Sequence, residues 1–467
     1  MSPIRMSSTR LWQVLCVGGL LLFFIALTSC TPLVPVTASE ITATPAPSDN
    51  GALPVTVLDE MGNPFDQGVV VRVSNSAQVD DFDNDGLRIV SCDQNTQAIA
   101  AWARGYEVAL RKCNESNIQL TPLNGRDNVH YSWASATGDC INCHAGQINN
   151  TYAEVNEWLK SGHAKVFDQR YFETMYRGTN LSGSSSPATQ WTVIGNEPVR
   201  VPPAVNDSYR GPGFKLDFPE QPGNCANCHV PAAVTASQVN VDLSGLFPKP
   251  GDVRGEGVTC DVCHKVLDVT LDNNGFPFVD RPGILSFRFL RPDNGVFTIG
   301  PFANILTRNA TTDHRLTCSP VFSKSEFCAA CHYGKFGNMV IYNSYGEWKQ
   351  SPFGDNSNEP DYKTCQDCHM PRTAAKGATF SALRPDLARH DFAGASAWVL
   401  RIAAKEFLEL DPEVLKVGAT RAEAMVKKAA SLELSQLATG LRVKVVNESG
   451  HKLPTGYPSR RAWLHTT

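Results

Sequence analysis

The chain has 467 residues, with 42 Lys+Arg against 46 Asp+Glu, a formal net charge of −4, and 15 Cys. That length is too great for one ordinary cored unit and suits two or three. The charge balance excludes a nucleic-acid binder working by bulk positive charge. A charged fraction of only 19% beside 42% hydrophobic residues excludes a disordered acidic chain. Fifteen cysteines do not belong in a reducing cytosol unless they hold a metal or cofactor.

Residues 1–29 have the form of an export signal. Arg5 and Arg10 precede an apolar stretch from Leu11 to Leu27, whose 17 residues fall short of the roughly 20 a membrane-spanning helix needs. The stretch ends in Leu27-Thr28-Ser29-Cys30, which resembles a bacterial lipobox. The resemblance implies that Cys30 is lipidated and begins the mature chain, which would place the protein outside the cytoplasm, anchored to the cell membrane or cell surface. Residues 30–53 are rich in Thr, Pro, Ala and Ser, cannot bury a core, and read as a tether.

Residues 54–122 show strand alternation around Val55–Leu58, Val69–Val73, Leu87–Cys92, Ala98–Ala103 and Tyr106–Cys113, broken by turn residues. The turns at Gly62-Asn63-Pro64, Asp83-Asn84-Asp85-Gly86 and Arg104-Gly105-Tyr106 resemble those of small β-sandwich modules of the carboxypeptidase-regulatory kind. Asp81, Asp83 and Asp85 have the spacing of an EF-hand loop, but position 12 is Cys92 instead of Glu, so the segment reads as a turn. Cys92 and Cys113 are expected to pair as a disulfide. Cys318 is then left as a buried, inert thiol.

Five times the chain reads Cys-x-x-Cys-His: Cys140/Cys143/His144, Cys225/Cys228/His229, Cys260/Cys263/His264, Cys328/Cys331/His332 and Cys365/Cys368/His369. Composition alone predicts about 0.01 such pentapeptides in the whole chain. Two thiols three positions apart can each add to one vinyl group of haem, and the following His coordinates iron from the proximal side. A thioredoxin-like pair or half a zinc site uses Cys-x-x-Cys, but neither requires His in the fifth place five times over. The motifs therefore predict five covalently bound haem c groups.

Six histidines lie outside the motifs: His130, His163, His314, His390, His451 and His465. A second axial His makes haem iron six-coordinate and suited to electron transfer. A helix over Tyr152–Phe167 would place Val155, Leu159, His163 and Val166 on one face, with His163 only 19 residues after His144. A partial copy, Trp348-x-x-Ser351-x-Phe353, repeats Trp158-x-x-Ser161-x-His163 with Phe in the ligand position. His130, ten residues before Cys140, is a further candidate ligand; His465 reads as a strand residue.

The runs CANCHVP from Cys225, GVTCDVCHKV from Gly257, FCAACH from Phe327 and KTCQDCHMP from Lys363 resemble multihaem cytochromes of the cytochrome c-552/4 type. So do WLKSGHA from Trp158, His314 before SPVFSKSEFCAACH, and RHDFAGA from Arg389, over roughly residues 130–395. The resemblance implies distal-ligand roles for His163, His314 and His390. His451 stands in GHKLPTGYPSRRAW, which is similar to a segment found after haem arrays in large extracytoplasmic cytochromes, and is read as a ligand too.

The expected fold is mixed: a mainly helical and irregular pentahaem core over 123–397, preceded by the small β-sandwich. A helical segment follows over 398–437, with a capping box at Thr420 and Glu423, and 438–467 begins a C-terminal β-domain that reads as truncated. The function this predicts is a membrane-tethered electron carrier using bis-His haems between redox donor and acceptor proteins, with no nucleic acid and no oligomeric state selected. The alternative is a reductase of a small nitrogen or other oxyanion substrate at one five-coordinate haem. Pentahaem nitrite reductases attach their catalytic haem through CxxCK, which is absent here.

Overall fold

A computed structural model describes residues 52–65, 69–73, 87–91, 98–112, 115–123, 125–145, 154–166, 170–180, 182–201, 213–236, 238–245, 252–303, 315–336, 339–357, 360–379, 381, 383–407, 410–456 and 460–465. The expectations for the export signal, Cys30, most of the tether, the Asp81–Gly86 turn, Cys92, Cys113 and His314 lie outside the described residues. Among the described residues no helix is long and apolar enough to cross a membrane.

The chain opens with six strands: β1 (Ala52–Leu58), β2 (Val69–Val73), β3 (Leu87–Ser91), β4 (Ala98–Ala103), β5 (Ala109–Lys112) and β6 (Asn117–Gln119). They form two three-stranded sheets in the orders β3-β1-β6 and β2-β4-β5. Alternation decides which side chains meet between them: Val55, Val57, Ile118 and Leu120 face Ile99, Ala101 and Ala103 in one core. Trp102 belongs to the opposite face of its sheet, yet only 4% of it is exposed. Something outside the sandwich covers it.

From Ala136 the structure consists of short helices and two-stranded ribbons. The helices are α1 (Ile141–His144), α2 (Glu154–Leu159), α3 (Arg170–Arg177), α4 (Phe214–Asp217), α5 (Ala226–His229), α6 (Cys260–Cys263), α7 (Glu326–His332), α8 (Ser344–Lys349) and α9 (Cys365–His369). The ribbons are β7 (Trp191–Ile194) with β8 (Glu197–Arg200), β9 (Val266–Val269) with β10 (Phe287–Phe289), β11 (Phe297–Gly300) with β12 (Arg315–Cys318), β13 (Gly334–Phe336) with β14 (Met339–Tyr342), and β15 (Arg372–Lys376) with β16 (Leu383–Ala388). Such a region holds several small apolar clusters in place of one large core.

The helix bearing Trp158 is shorter than the periodicity predicts. It ends at Leu159, and the chain tightens into turns in which Lys160 and Ser161 N–H donate to the carbonyls of Glu157 and Trp158. Gly162 is a poor helix former, and the His163 N–H donates to Ser161 Oγ instead of continuing the helix. His163 therefore sits on a turn, with its carbonyl free for use elsewhere.

The C-terminal part departs from expectation in two places. Helix α10 (Ala397–Glu406) is followed by α11 (Pro412–Lys427), whose start is capped by Asp411 accepting from Glu413 N–H at 2.9 Å. Thr420 is mid-helix, and its hydroxyl bonds back to Lys416 O, so no capping box forms there. Pro412 in the first turn and Asp411 before it outcompete the later Thr. The helical segment stops at Lys427 and not at 437, because Ala430–Leu437 pairs with Gly440–Asn447 as the hairpin β17–β18.

Candidate functional site

Each of the five motifs lies on a short helix, a single turn at α1, α5, α6 and α9 and about two turns at α7, ending at or next to its His. One turn of 3.6 residues brings the first Cys, the second Cys three places on and the His four places on to the same side. Thr259 and Thr364 precede α6 and α9 at extended backbone, and at α9 the Asp367 carboxylate returns to Thr364 N–H at 2.7 Å. The capping box forms at α9, while α6 starts at Thr259 without one.

As pentapeptides the five motifs look alike; in the structure their cysteines differ in burial. The side chain of Cys143 is exposed, as is that of Cys368, whereas the other eight motif cysteines are partly buried. The reason lies in what packs on each turn. Helix α1 is covered on its Cys140 side by the third motif, while at its far end only the backbone of Cys143 is held: its carbonyl accepts from Thr379 N–H at 2.9 Å and from Thr379 Oγ1 at 3.1 Å. The protein alone therefore does not enclose Cys143, and its place in the first motif rests on its position in the turn, not on burial.

Four of the five motif histidines share a second feature. A carbonyl oxygen can only accept, so a ring nitrogen beside one must carry the proton. His144 Nδ1 donates to Gly377 O at 2.6 Å, His264 Nδ1 to Ile299 O at 2.9 Å, and His369 Nδ1 to Ala393 O at 2.6 Å. His332 Nδ1 lies 2.8 Å from the Tyr342 hydroxyl. The three bonds to carbonyls select the tautomer whose Nε2 offers its lone pair to a metal. Burial pushes the imidazoles of His163, His229 and His264 down to about 4 and those of His332 and His390 down to about 3. All five are neutral near pH 7, the form a metal requires.

Three histidines outside the motifs face a motif histidine. The ring centroids of His163 and His332 are 6.1 Å apart, those of His390 and His264 6.4 Å, and those of His451 and His369 6.2 Å. Two metal–nitrogen bonds of roughly 2 Å plus two ring radii of roughly 1 Å give about 6 Å, so each pair leaves room for one iron between two imidazoles. The donor set and the spacing fit haem at these three motifs. Among the described residues no three His, Cys, Asp or Glu side chains converge into a cage for a bare metal ion.

His163 follows the first motif in sequence but faces the fourth, and His390 follows the fifth but faces the third. His130 is exposed, and its backbone N–H is held by Asn128 Oδ1. Among the described residues it meets no motif histidine. His465 is exposed as well. His229 has Phe172 stacked on its ring at 4.2 Å, and among the described residues no His ring packs against it, although His163 lies near enough to lower its pKa further.

The tryptophan copy noted in the sequence is a structural repeat. Trp158 Nε1 donates to Val258 O at 2.8 Å, and Val258 N–H donates to His163 O at 2.9 Å, two residues before Cys260. Trp348 Nε1 donates to Lys363 O at 2.8 Å, and Lys363 N–H donates to Phe353 O at 3.0 Å, two residues before Cys365. Each Trp–Ser turn is thus a bracket that seats the approach to a Cys-x-x-Cys-His motif. Phe353 keeps the bracket and packs its ring with Ala329, Tyr345 and Trp348. Gly257 has φ +71°, and a Cβ there would lie 2.3 Å from His163 O, so the first bracket closes only on glycine.

Contacts between motifs are equally specific. The buried Glu256 carboxylate accepts from Ser135 Oγ at 2.6 Å, Ala136 N–H at 2.7 Å and Thr137 N–H at 3.0 Å, tying the entry of the first motif to that of the third. Asp261 accepts from Ala134 N–H at 2.8 Å and pairs with the buried Lys265. As a result the Cys140 and Cys260 thiols touch. Ser325 Oγ accepts from Cys365 N–H, and Gln366 donates to Phe322 O and Lys324 O, bringing Cys328 against Cys365. Cys228 meets Cys331, and Gly283, at φ +62°, allows its segment to lie against Asn227 and Cys228 where a Cβ would collide. The fourth motif thus adjoins both the second and the fifth. None of these acceptors or glycines carries a recognisable signal in the sequence, because each acts across tens or hundreds of residues.

Cys318 corrects another expectation. It is 3% exposed and disulfide-bonded, not a lone thiol. Its partner lies outside the described residues. It sits in an apolar cluster with Trp102, Ala303 and Val108, where the β-sandwich docks, and not in isolation beside the fourth motif.

No family model matches the chain, and no curated protein matches it. Among solved structures, a penta-heme cytochrome c552 from Thermochromatium tepidum is similar at a TM-score of 0.40 and 17% identity, covering 70% of this chain and 69% of that one. A likeness that weak carries no weight beside the geometry.

Proposed function

We propose that the chain is a multihaem c-type cytochrome that carries electrons, holding five haems on the Cys-x-x-Cys-His motifs. The observation that carries this reading is the set of three His–His pairs at 6.1–6.4 Å, each joining one motif His to one His from elsewhere. Haem iron so held supplies one-electron exchange. The protein's part is to attach, orient and wire. Nδ1–H bonds aim His144, His264 and His369, and the paired brackets seat the third and fifth motifs. The motif contacts favour an order of first, third, fourth and fifth, with the second branching from the fourth. A lipid on Cys30 would hold this carrier outside the cytoplasm at a membrane, between donor and acceptor proteins.

The test is a pyridine haemochrome assay with intact mass. Five haems per chain and predominantly low-spin spectra support the reading; a colourless or zinc-loaded protein refutes it.

A second reading rests on His229, which has no His facing it among the described residues. The haem of the second motif would then keep an open face and could take a small nitrogen or other oxyanion substrate. A high-spin ferric signal that nitrite or hydroxylamine perturbs would support it, and a wholly low-spin spectrum would remove it.

A further inference from the structure

Strand β12 is shared between the two parts of the molecule. On one side it pairs in parallel with β11, with Ile299 opposite Thr317 and Gly300 opposite Cys318. Ile299 is also the residue that grips His264: its carbonyl accepts Nδ1–H at 2.9 Å, and its N–H donates to His264 O at 2.8 Å. On the other side β12 receives the N-terminal β-sandwich. Val108 N–H donates to Leu316 O at 2.8 Å. Trp102 Nε1 donates to Thr317 Oγ1 at 2.9 Å, and that hydroxyl donates on to Tyr106 O at 2.7 Å. Arg315 pairs with Glu107 at 2.9 Å.

These contacts explain the outward-facing tryptophan. Ile99, Ala101 and Ala103 point into the sandwich core, so Trp102 points away from it and would be exposed if the module stood alone. It is buried because Ala303, Cys318 and Val108 close over it. A buried Trp with a satisfied N–H is a strong anchor, and the disulfide at Cys318 ends the same strand.

We propose that the β-sandwich is a positioning element for His264. By pressing β12 onto β11 it keeps the Ile299 carbonyl on Nδ1–H, which makes the imidazole a stronger donor at the third motif. This inference rests on the haem reading of that motif. A carbonyl accepting the outer N–H raises ligand basicity and favours the oxidised metal. Loosening β12 would then raise the potential at the third motif alone.

The experiment uses the full haem-loaded chain carrying Thr317→Val, which keeps volume but breaks the relay from Trp102 to Tyr106, with Thr317→Ser as the conservative control. Deuterium uptake over residues 297–300 and 315–318 and a spectroelectrochemical titration are read together. The expected result is faster uptake in both strands with Thr317→Val and one of the resolved transitions moving to higher potential, with Thr317→Ser returning both to the parent values. Faster uptake with every transition unmoved would overturn the proposal, since the module would then only dock. Unchanged uptake would overturn it as well, since β12 would not depend on the module. Failure of the haem reading itself would appear separately, as a chain without a haemochrome spectrum.

Discussion

Replacing Glu256 tests the link between the first and third motifs. Its carboxylate is 7% exposed and accepts from two backbone N–H groups, Ala136 and Thr137, and from the Ser135, Thr137 and Thr259 hydroxyls. In Glu256→Ala the three hydroxyls can rotate away, but the backbone donors cannot. Two buried donors left unpaired at ~1–3 kcal/mol each give a loss of about 4 kcal/mol, with Glu256→Gln losing about half because one acceptor oxygen remains. The pH dependence has a definite sign. Burial pulls the Glu256 carboxyl upward, but the hydrogen bonds from Ser135 and Thr137 outweigh it and hold the group below its ordinary value. A carboxyl lowered on folding contributes its stability above the unfolded pKa of about 4.3 and loses it as pH falls through the folded value. Guanidinium unfolding of the haem-loaded protein, followed at the Soret band between pH 3 and 7, reads both effects. Glu256→Ala should unfold at lower denaturant at pH 7 and should lack part of the acid-induced loss shown by the parent. Deuterium uptake at residues 134–140 should rise with it. Stability within about 0.5 kcal/mol of the parent at pH 7, or an unchanged acid limb, would refute the reasoning.

Three further outcomes follow from the geometry. His163→Ala, His390→Ala and His451→Ala should each convert one haem to a high-spin or ligand-accessible form in electron paramagnetic resonance, at the fourth, third and fifth motifs respectively, whereas His130→Ala should leave the spectrum unchanged. Trp348→Phe removes the Nε1 bond and leaves Lys363 O without that donor, so it should cost about 1–2 kcal/mol in denaturant unfolding; a cost near zero would show that the bracket does not hold the fifth motif. Non-reducing peptide mapping should find Cys318 resistant to alkylation until reductant is added and linked to Cys92 or Cys113. A Cys318 that alkylates freely in the folded, unreduced protein would contradict the disulfide.

Much of the candidate chemistry was legible in the linear sequence because it is local. Covalent attachment needs two thiols and an imidazole within one helical turn, and a pentapeptide carries all of that information. It does not carry the surroundings, which is why the exposure of Cys143 could not be told from the partial burial of Cys263. Strand alternation is local as well, so Val55–Leu58, Val69–Val73 and Ala98–Ala103 could be read as β from their own side chains. Helix limits were less legible. The apolar face through His163 ignored the Gly162 turn, and Thr420-x-x-Glu423 has the form of a cap but lies inside a helix that Asp411 had already started.

What only the tertiary structure decided is which histidine faces which motif and what holds it there. Nearness in sequence suggests that His163 serves the first motif, yet its ring lies opposite His332 because its carbonyl is docked on Val258, at the approach to a third motif that packs beside the fourth. The role of Trp102 was hidden for the same reason: alternation shows that it leaves the sandwich core, but not that Thr317 awaits it more than two hundred residues later. A chain's own pattern specifies the chemistry that one turn or one strand can complete. Pairings across the fold depend on how burial, glycine clearance and hydrogen-bond satisfaction are met together, and those conditions exist only once the segments are in contact.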